Sequence, residues 1–333
     1  MKRAYIANFP GVGNGVMLMP ILKHLVQNKV YDQIFCTENG IIRNKDLVDI
    51  AGIGGHITPI PSAWRRFQKD HWKEIYTFLK TNAIDTVYNL RNVNLEDYES
   101  FKREYPDLHY FDLKFEQLIS RANQAPIFSD IFNLFADTLY INGKKNCEWI
   151  SQYRKTAIST DIGLMISASQ SNKILHLAKW IELGNKILKE DGSYNIKIFS
   201  GIEPEDISSA KKVIHSINNR RCEYVGNKDL SLSAKAIGRL KCFISTDTGL
   251  LHLAAAVGVP TIGIYISTDP KIWRPNAFPA TAACKSSNIT KCGLWKKYAG
   301  TCGHFYETCP YASSEDISTQ LVFEEVMHIV KST

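Results

Sequence analysis

One stretch of the sequence, residues 241–270, most constrains what this chain can fold into. Its pattern predicts a buried strand at 242–245, a helix at 250–257 and a second strand at 261–266. This is a complete βαβ unit, and the turn that opens its helix leaves backbone N–H groups unpaired. Because such a turn attracts phosphate, the stretch predicts an α/β fold that carries an anion site.

The residues of that turn are small and hydroxylated, which suits a close approach by a ligand. They are Thr246, Asp247, Thr248 and Gly249. The alternative is that Asp247 or Thr248 is an ordinary helix N-cap within an α/β core that binds nothing. Residue types alone leave the two interpretations about equal.

The same stretch resembles the signature of a known family. STDTGLLHLAAAVGVPTIGIY followed by STDP is similar to D-T-G-x-x-H-L-A-A-A-x-G-x-P-x-x-x-x-[FY]-G-x-T-x-P of the ADP-heptose:lipopolysaccharide heptosyltransferases, with Ile266 where the family usually has Gly. The resemblance implies the GT-B fold, in which two doubly wound Rossmann-like domains face each other across a cleft. It also implies sugar transfer from a nucleotide-diphospho-sugar.

Length and composition agree with two soluble domains. The 333 residues, 44% hydrophobic and 22% charged, exceed one typical α/β domain and show no sign of disorder. We expect an acceptor-binding domain at 1–155, a nucleotide-sugar-binding domain at 156–314 and a C-terminal helix at 315–333. The N-terminal apolar run is too short for a signal peptide, so we expect a cytoplasmic protein.

The formal net charge of +7 is spread over basic pairs, most of which are typical of solvated faces. The excess favours anionic substrates, or loose peripheral attachment to an acidic membrane leaflet. Nucleic acid is not expected as a partner, because no binding motif accompanies the charge. The most suggestive basic patch is the run Trp64, Arg65, Arg66 and Phe67.

Four of the eight cysteines crowd near the C-terminus, at Cys284, Cys292, Cys302 and Cys309. Their spacing lacks the paired C-x-x-C of a structural zinc site. Free thiols are favoured, and a metal or disulfide cluster is the alternative. No metal and no cofactor other than the donor co-substrate is expected.

The N-terminus repeats the arrangement of strand, glycine-rich turn and helix, at 3–8, 9–15 and 16–29. It resembles the family's G-D-x-x-x-x-x-P, in which Pro20 fixes the register and sets Asn14 at the family's Asp. The resemblance makes Asn14 a catalytic position and assigns Gly13 and Asn14 to the acceptor. The alternative is a tight turn without a ligand.

Asn14 departs from the family at the residue thought to take the acceptor's proton. An amide has no basic lone pair near neutral pH, so Asn14 cannot be that base. Another carboxylate acts instead, or the acceptor differs, or activity is lost. Glu38 and Asp112 are the available substitutes, although each is more typical of a surface or capping carboxylate.

Further elements are predicted in the first domain. The strands are at 34–37, 56–60, 85–90 and 109–111, and the helices at 45–50, 70–81, 114–123 and 129–140, with Asp70 as the N-cap of the second. Glu38 and Arg91 follow two of these strands, so the sheet edge would collect Asn14, Glu38 and Arg91 at an acceptor site. Arg91 could equally make only a surface ion pair.

The second domain is predicted from the same signals. Its further strands are at 162–167, 195–200 and 222–225, and its further helices at 177–189, 204–218, 231–240 and 316–330, with irregular chain after Pro270. By resemblance, Ser169 lies in a small-residue turn and Lys173 matches the Lys of the family's K-x-W-P, although the Trp-Pro is absent. Glu205 matches a Glu that reaches the nucleotide ribose; alternatively it only favours the start of its helix.

The resemblance implies an inverting transferase that uses ADP-heptose and a lipopolysaccharide core acceptor. Lys173 would stabilise the departing pyrophosphate, beside the amides of Thr248 and Gly249. Asp247 is expected to meet sugar hydroxyls or to cap its helix, and His252 either donates to a phosphate or is a satisfied helix residue. A non-catalytic sugar-nucleotide binder and a nucleotide-sugar epimerase or hydrolase remain alternatives.

Overall fold

A computed structural model describes residues 1–7, 11–90, 96–113, 130–139, 149–155, 159–226, 229–275, 281–285 and 313–332. The chain divides into two compact units. Each unit is built on its own parallel sheet.

The first unit contains a five-stranded sheet in the order β3-β2-β1-β4-β5. Its strands are β1 (Arg3–Ala7), β2 (Gln33–Thr37), β3 (Ile57–Ile60), β4 (Thr86–Asn89) and β5 (His109–Asp112). All neighbouring strands pair in parallel, and the order reverses at β1. This is a doubly wound sheet, whose ligands bind where the order reverses.

Five helices are described in the first unit. They are α1 (Val12–Gln27), α2 (Glu38–Ala51), α3 (Trp72–Thr81), α4 (Glu96–Glu104) and α5 (Asp130–Thr138), with short 3-10 helices at Gly54–His56, Ser62–Arg66 and Lys69–His71. One side of the sheet packs on an aromatic core in which the Phe67 ring lies 4.8 Å from the rings of both Tyr98 and Phe101.

The first helix begins four residues earlier than the glycine-rich sequence suggests. Gly11 takes the N-cap position, and the amide of Gly15 donates to the carbonyl of Gly11 at 2.7 Å. Gly13 and Asn14 therefore lie in the first turn of α1 rather than in the turn before it. Gly15 is small because α2 packs on it: a Cβ there would come within 1.9 Å of Asn44 Oδ1.

Two other helix starts differ from prediction. α2 begins at Glu38 rather than near Lys45, and Gly52 caps its C-terminus with a φ of +70°, in the left-handed region that glycine adopts without strain. Asp70 is not an N-cap, because it lies inside the 3-10 helix that precedes α3, and His71 takes the N-cap position.

The sequence did not predict α4. Only Tyr98 and Phe101 are buried among its nine residues, so the periodic apolar signal is weak. The predicted helix at 114–123 lies outside the described residues, and the one at 129–140 corresponds to α5.

The second unit contains a six-stranded parallel sheet in the order β11-β10-β9-β6-β7-β8. Its strands are β6 (Asp161–Met165), β7 (Asn195–Phe199), β8 (Cys222–Tyr224), β9 (Cys242–Thr246), β10 (Thr261–Tyr265) and β11 (Thr281–Lys285). The strand order reverses between β6 and β9. The carboxyl ends of these two strands are therefore the expected ligand position of this sheet.

Six helices are described in the second unit. They are α6 (Leu177–Glu190), α7 (Pro204–Ile217), α8 (Leu230–Ile237), α9 (Gly249–Val257), α10 (Pro270–Trp273) and α11 (Thr319–Ser332), with 3-10 helices at Ser151–Tyr153, Ser171–Lys173 and Ser314–Asp316. In α9 every residue from Leu250 to Val257 is buried, and Gly258 ends the helix with a φ of +88°. The small residues Ala254, Ala255 and Ala256 let this helix lie close to other buried elements.

The chain beyond Pro270 is more regular than predicted, because it contains α10 and β11. The strand was missed because Thr281, Ala282 and Ala283 give little apolar periodicity. Cys284 in β11 is a free thiol, and burial raises its pKa to about 11. Cys292, Cys302 and Cys309 lie outside the described residues. In the part of the chain that the structure describes, no helix is both long and apolar enough to cross a bilayer.

Candidate functional site

The turn between β9 and α9 leaves the N-terminus of a buried helix partly exposed. Thr248 takes the N-cap position with extended backbone, but its side chain makes no capping bond. Its hydroxyl instead pairs with Ser245 Oγ at 2.9 Å. Thr248 and Gly249 are both partly exposed, whereas Thr246 and Asp247 are buried. Within the described part of the chain, the first-turn amides of α9 are therefore uncapped by side chains, as an anion site requires.

Asp247 does not cap α9, which excludes one of its two predicted roles. Its Oδ2 accepts a hydrogen bond of 2.7 Å from Lys173 Nζ. Lys173 ends the 3-10 helix that follows β6, so the two side chains come from the two strands at which the sheet order reverses. Their side chains are only 18% and 7% exposed, respectively. The fold thus brings a buried ion pair to the predicted ligand position.

His252 is the third member of this group. Its side chain is 4% exposed, and Nε2 lies 3.7 Å from Oδ1 of Asp247. Among the described residues Nδ1 has no hydrogen-bond partner. The imidazole therefore lies near the carboxylate oxygen that does not accept from Lys173.

The ion pair with Lys173 keeps the Asp247 carboxyl group ionised. Burial by itself raises the pKa of Asp247, but the charge of Lys173 and the contact with His252 outweigh burial and hold that pKa well below its usual range. Asp247 is therefore an anion at neutral pH, and its carboxylate would repel a phosphate group. Lys173 and the α9 amides are the groups that would attract a phosphate group.

Tyr265 of β10 lies near the ion pair and was not predicted as a site residue. Its ring covers Gly263, since a Cβ at that glycine would come within 2.5 Å of the ring. Its hydroxyl is buried without a partner in the described chain. Burial raises the pKa of Tyr265 well above its usual value, and Asp247 adds to that rise. The sequence feature that could have indicated Tyr265 is its position two residues after Gly263 in the same predicted strand.

A second polar group lies at the carboxyl ends of β6 and β7. Ser167 Oγ accepts a hydrogen bond of 2.5 Å from the Gly201 amide and also binds the Asp206 carboxylate. Asp206 lies against Gly201, where a Cβ would come within 1.9 Å of Oδ2. Burial raises the pKa of Asp206, and the neighbouring Glu203 adds to the effect. Sequence reasoning selected the adjacent Glu205 and missed this residue.

Ser169 and Glu205 are both exposed, in the loop after β6 and in the first turn of α7. Within the described chain, neither is joined by a hydrogen bond or ion pair to Lys173, Asp247 or His252. Their predicted contacts with the donor stay predictions.

The predicted acceptor residues lie in the first unit. Gly13 and Asn14 are partly buried in the first turn of α1, and Glu38 is exposed as the first residue of α2. Both helices follow adjacent parallel strands, β1 and β2, and therefore start at the same sheet edge. Arg91 lies outside the described residues.

Asp112 is a poor candidate for a free base. Its Oδ1 accepts from the Tyr98 hydroxyl at 2.7 Å, and its Oδ2 accepts from Lys102 Nζ at 2.6 Å. Both oxygens are thus held within the first unit. Among the described residues, no group of three or more His, Cys, Asp and Glu side chains could hold a metal ion.

Comparison with known proteins identifies the family. The family model for glycosyltransferase family 9 (heptosyltransferase) matches residues 110–297, which is more than half of the chain. The chain belongs to this family. The predicted resemblance is therefore confirmed, and the chain is a glycosyltransferase by family.

Individual relatives are distant. A Haemophilus influenzae protein, named provisionally as a glycosyltransferase, is 32% identical over 105 residues, and the match spans 30% of each chain. The solved E. coli heptosyltransferase WaaC with ADP is 17% identical, with a TM-score of 0.61 over 98% of this chain and 99% of that one. A family 9 glycosyl transferase from Veillonella parvula is 15% identical, with a TM-score of 0.66 over 100% and 98%.

At these identities the solved structures establish the fold alone. They confirm the prediction of two doubly wound α/β domains like those of GT-B heptosyltransferases. The predicted domain boundaries and the roles of the site residues remain predictions.

Proposed function

We propose that this family 9 protein is an inverting, metal-independent glycosyltransferase that uses ADP-heptose as donor and a lipopolysaccharide core or another glycan as acceptor. The observation that carries the proposal is the uncapped N-terminus of α9, with Lys173 beside it on Asp247. The ADP bound to WaaC, a protein of similar fold, supports the choice of nucleotide.

In this reaction the diphosphate of the donor lies on the first-turn amides of α9. Thr248 and Gly249 are exposed enough to reach it, and Lys173 supplies a positive charge. These groups act where negative charge grows as the nucleoside diphosphate leaves. Asp247 would bind sugar hydroxyls, because its carboxylate accepts hydrogen bonds but repels phosphate.

The acceptor oxygen forms a bond to the anomeric carbon while the bond from that carbon to the phosphate oxygen breaks, and the diphosphate leaves with the bonding electrons. The acceptor's hydroxyl proton passes to a base. Asn14 cannot be that base, and both oxygens of Asp112 are engaged. Glu38, exposed at the same sheet edge as Asn14, is the carboxylate we assign to this step.

A panel of nucleotide sugars tests the proposal, each incubated with and without a glycan acceptor while nucleotide release is measured. We expect release only with both substrates. Asp247→Ala should abolish it, and Glu324→Ala, which changes an exposed carboxylate on α11, should not. Unchanged turnover in Asp247→Ala would discard the site assignment.

The same panel separates the two alternatives. Turnover of donor alone would identify a hydrolase or epimerase. Stabilisation of the fold by a nucleotide sugar without any product would identify a non-catalytic binder. Cytoplasmic location and attachment to an acidic membrane surface stay predictions from sequence.

A further inference from the structure

His252 is a buried imidazole next to a carboxylate that already has a counter-ion. Lys173 donates to one oxygen of Asp247 at 2.7 Å, and His252 Nε2 lies 3.7 Å from the other oxygen. The second distance is too long for a hydrogen bond. The carboxylate is thus paired with the ammonium, and the imidazole lies close to its other oxygen without a hydrogen bond to it.

The charged and titratable groups around Asp247, the carboxylate next to His252, come from three elements. The β9–α9 turn supplies Asp247, the 3-10 helix after β6 supplies Lys173, and β10 supplies Tyr265. Burial raises the pKa of Tyr265 well above its usual value, so this phenol stays neutral. Arg274, after α10, lies close enough to Tyr265 to influence it. The negative charge of Asp247 next to His252 is thus balanced by the positive charge of Lys173.

A bound nucleotide diphosphate would change that balance. It adds at least two negative charges at the N-terminus of α9, three residues before His252 along the same helix. Lys173 would then be the one described ammonium that serves both Asp247 and the diphosphate. A buried carboxylate that shares its counter-ion with a phosphate costs free energy, so another positive charge would stabilise the site. An imidazole is the side chain that can supply one near neutral pH.

We propose that His252 takes up a proton from solvent when a nucleotide diphosphate binds and then replaces Lys173 as the counter-ion of Asp247. Nε2–H donates to Oδ1 of Asp247, and the Lys173 ammonium turns to the phosphate oxygens. The proton returns to solvent when the nucleotide leaves. His252 is thus a positioning residue that acts through Asp247 and Lys173. The inference rests on the proposed function, because it requires a diphosphate at α9.

Calorimetric titration of the full chain with ADP tests this exchange. Each pH between 6 and 8.5 is measured in two phosphate-free buffers of different ionisation enthalpy, which gives the number of protons bound per ADP. His252→Gln keeps a polar side chain but cannot take the proton. His215→Gln, an exposed histidine near the end of α7, is the matched control.

Wild type and His215→Gln should bind up to about one more proton per ADP than His252→Gln, and their Kd for ADP should rise by up to about tenfold per pH unit on the alkaline side. In His252→Gln the Kd for ADP should change with pH only through the ionisation of ADP itself. Equal proton uptake in His252→Gln and wild type would overturn the inference while the proposed function stands. No ADP binding to wild type at all would overturn both.

A second measurement does not depend on any variant folding. Histidine ring signals of the wild-type protein are followed by NMR over the same pH range, with and without ADP. One buried histidine should shift its titration to higher pH when ADP is present. No histidine with such a shift, at saturating ADP, would also overturn the inference.

Discussion

Lys173 Nζ lies 2.7 Å from Oδ2 of Asp247, although 74 residues of sequence separate the two. Both side chains are largely shielded from water. A buried ion pair adds little net stability, because desolvation of both charges offsets their attraction. Its retention at the point where the strand order reverses therefore fits a binding role better than a structural one.

Removal of one partner of this pair should be costly. In Lys173→Met the Asp247 carboxylate stays buried without its ammonium, so we expect the free energy of unfolding of the second unit to fall by about 3 kcal/mol. Lys173→Met with Asp247→Asn removes both charges and should recover more than half of the loss. Urea unfolding of the two variants and wild type measures this. A double variant no more stable than Lys173→Met would contradict the assignment of the pair as buried and coupled.

Asp206 should show the opposite response to pH from a typical paired carboxylate. Its folded-state pKa lies above that of the unfolded chain, because burial and Glu203 disfavour the anion. The folded state therefore binds more protons, and its stability falls as pH rises from about 4 through the folded pKa. Asp206→Asn removes this loss and can still bond to Ser167.

We therefore expect the Tm of Asp206→Asn to exceed that of wild type at pH 7, and the two to converge below about pH 4. Differential scanning calorimetry across this pH range measures the difference. Glu205→Gln, which changes the exposed neighbour, is the control and should have a smaller effect. A lower Tm for Asp206→Asn at pH 7 would show that the carboxylate is favourable as an anion.

The strand and helix order of the second unit could be predicted because its signals are local. The β9–α9–β10 segment combines apolar strands, a small-residue turn and an alanine helix closed by Gly258, all within thirty residues of sequence. The family signature covers the same segment. Where apolar periodicity is weak, as in α4 and β11, prediction failed.

The contacts of the site could not be predicted in the same way, because they are made between distant parts of the chain. Gly15 was interpreted as part of a ligand turn, yet its lack of a side chain is required by Asn44 of α2. Likewise the partner of Asp247 comes from after β6. Residue type indicates which side chains have reactive or charged groups, whereas the packing of the fold determines which of these side chains are in contact.

Gly263 should not tolerate a side chain, because the ring of Tyr265 covers it. In Gly263→Ala the new methyl group would lie within 2.5 Å of that ring, which is buried and cannot move into solvent. We expect a loss of about 1–3 kcal/mol in the free energy of unfolding. Gly192→Ala is the control, since a Cβ there meets nothing within 4 Å. Equal stability of both variants by urea unfolding would mean that the ring does not occupy the described position.

The last prediction concerns Asn14, in the first turn of α1. That turn contains no acidic residue, so the amide dipoles of the helix N-terminus are not matched by a negative charge. Asn14→Asp should therefore be neutral or stabilising by about 0.5 kcal/mol. On the proposed reaction it also supplies a carboxylate where the acceptor hydroxyl loses its proton. Since a positioned base contributes about a hundredfold or more, Asn14→Asp should raise product formation by a similar factor in a chain that lacks the assigned base Glu38.

The control for this variant is Glu38→Gln, because Glu38 is the base that we assign to the natural protein. Glu38→Gln alone should lower kcat, and Asn14→Asp should restore activity when the two are combined. Rates measured from pH 5 to 9 should fall on the acid side in Asn14→Asp, as the new carboxyl is protonated. If the combined variant folds, binds ADP and forms no more product than Glu38→Gln, a carboxylate at position 14 does not take the acceptor's proton, and the assignment of α1 to the acceptor hydroxyl is wrong.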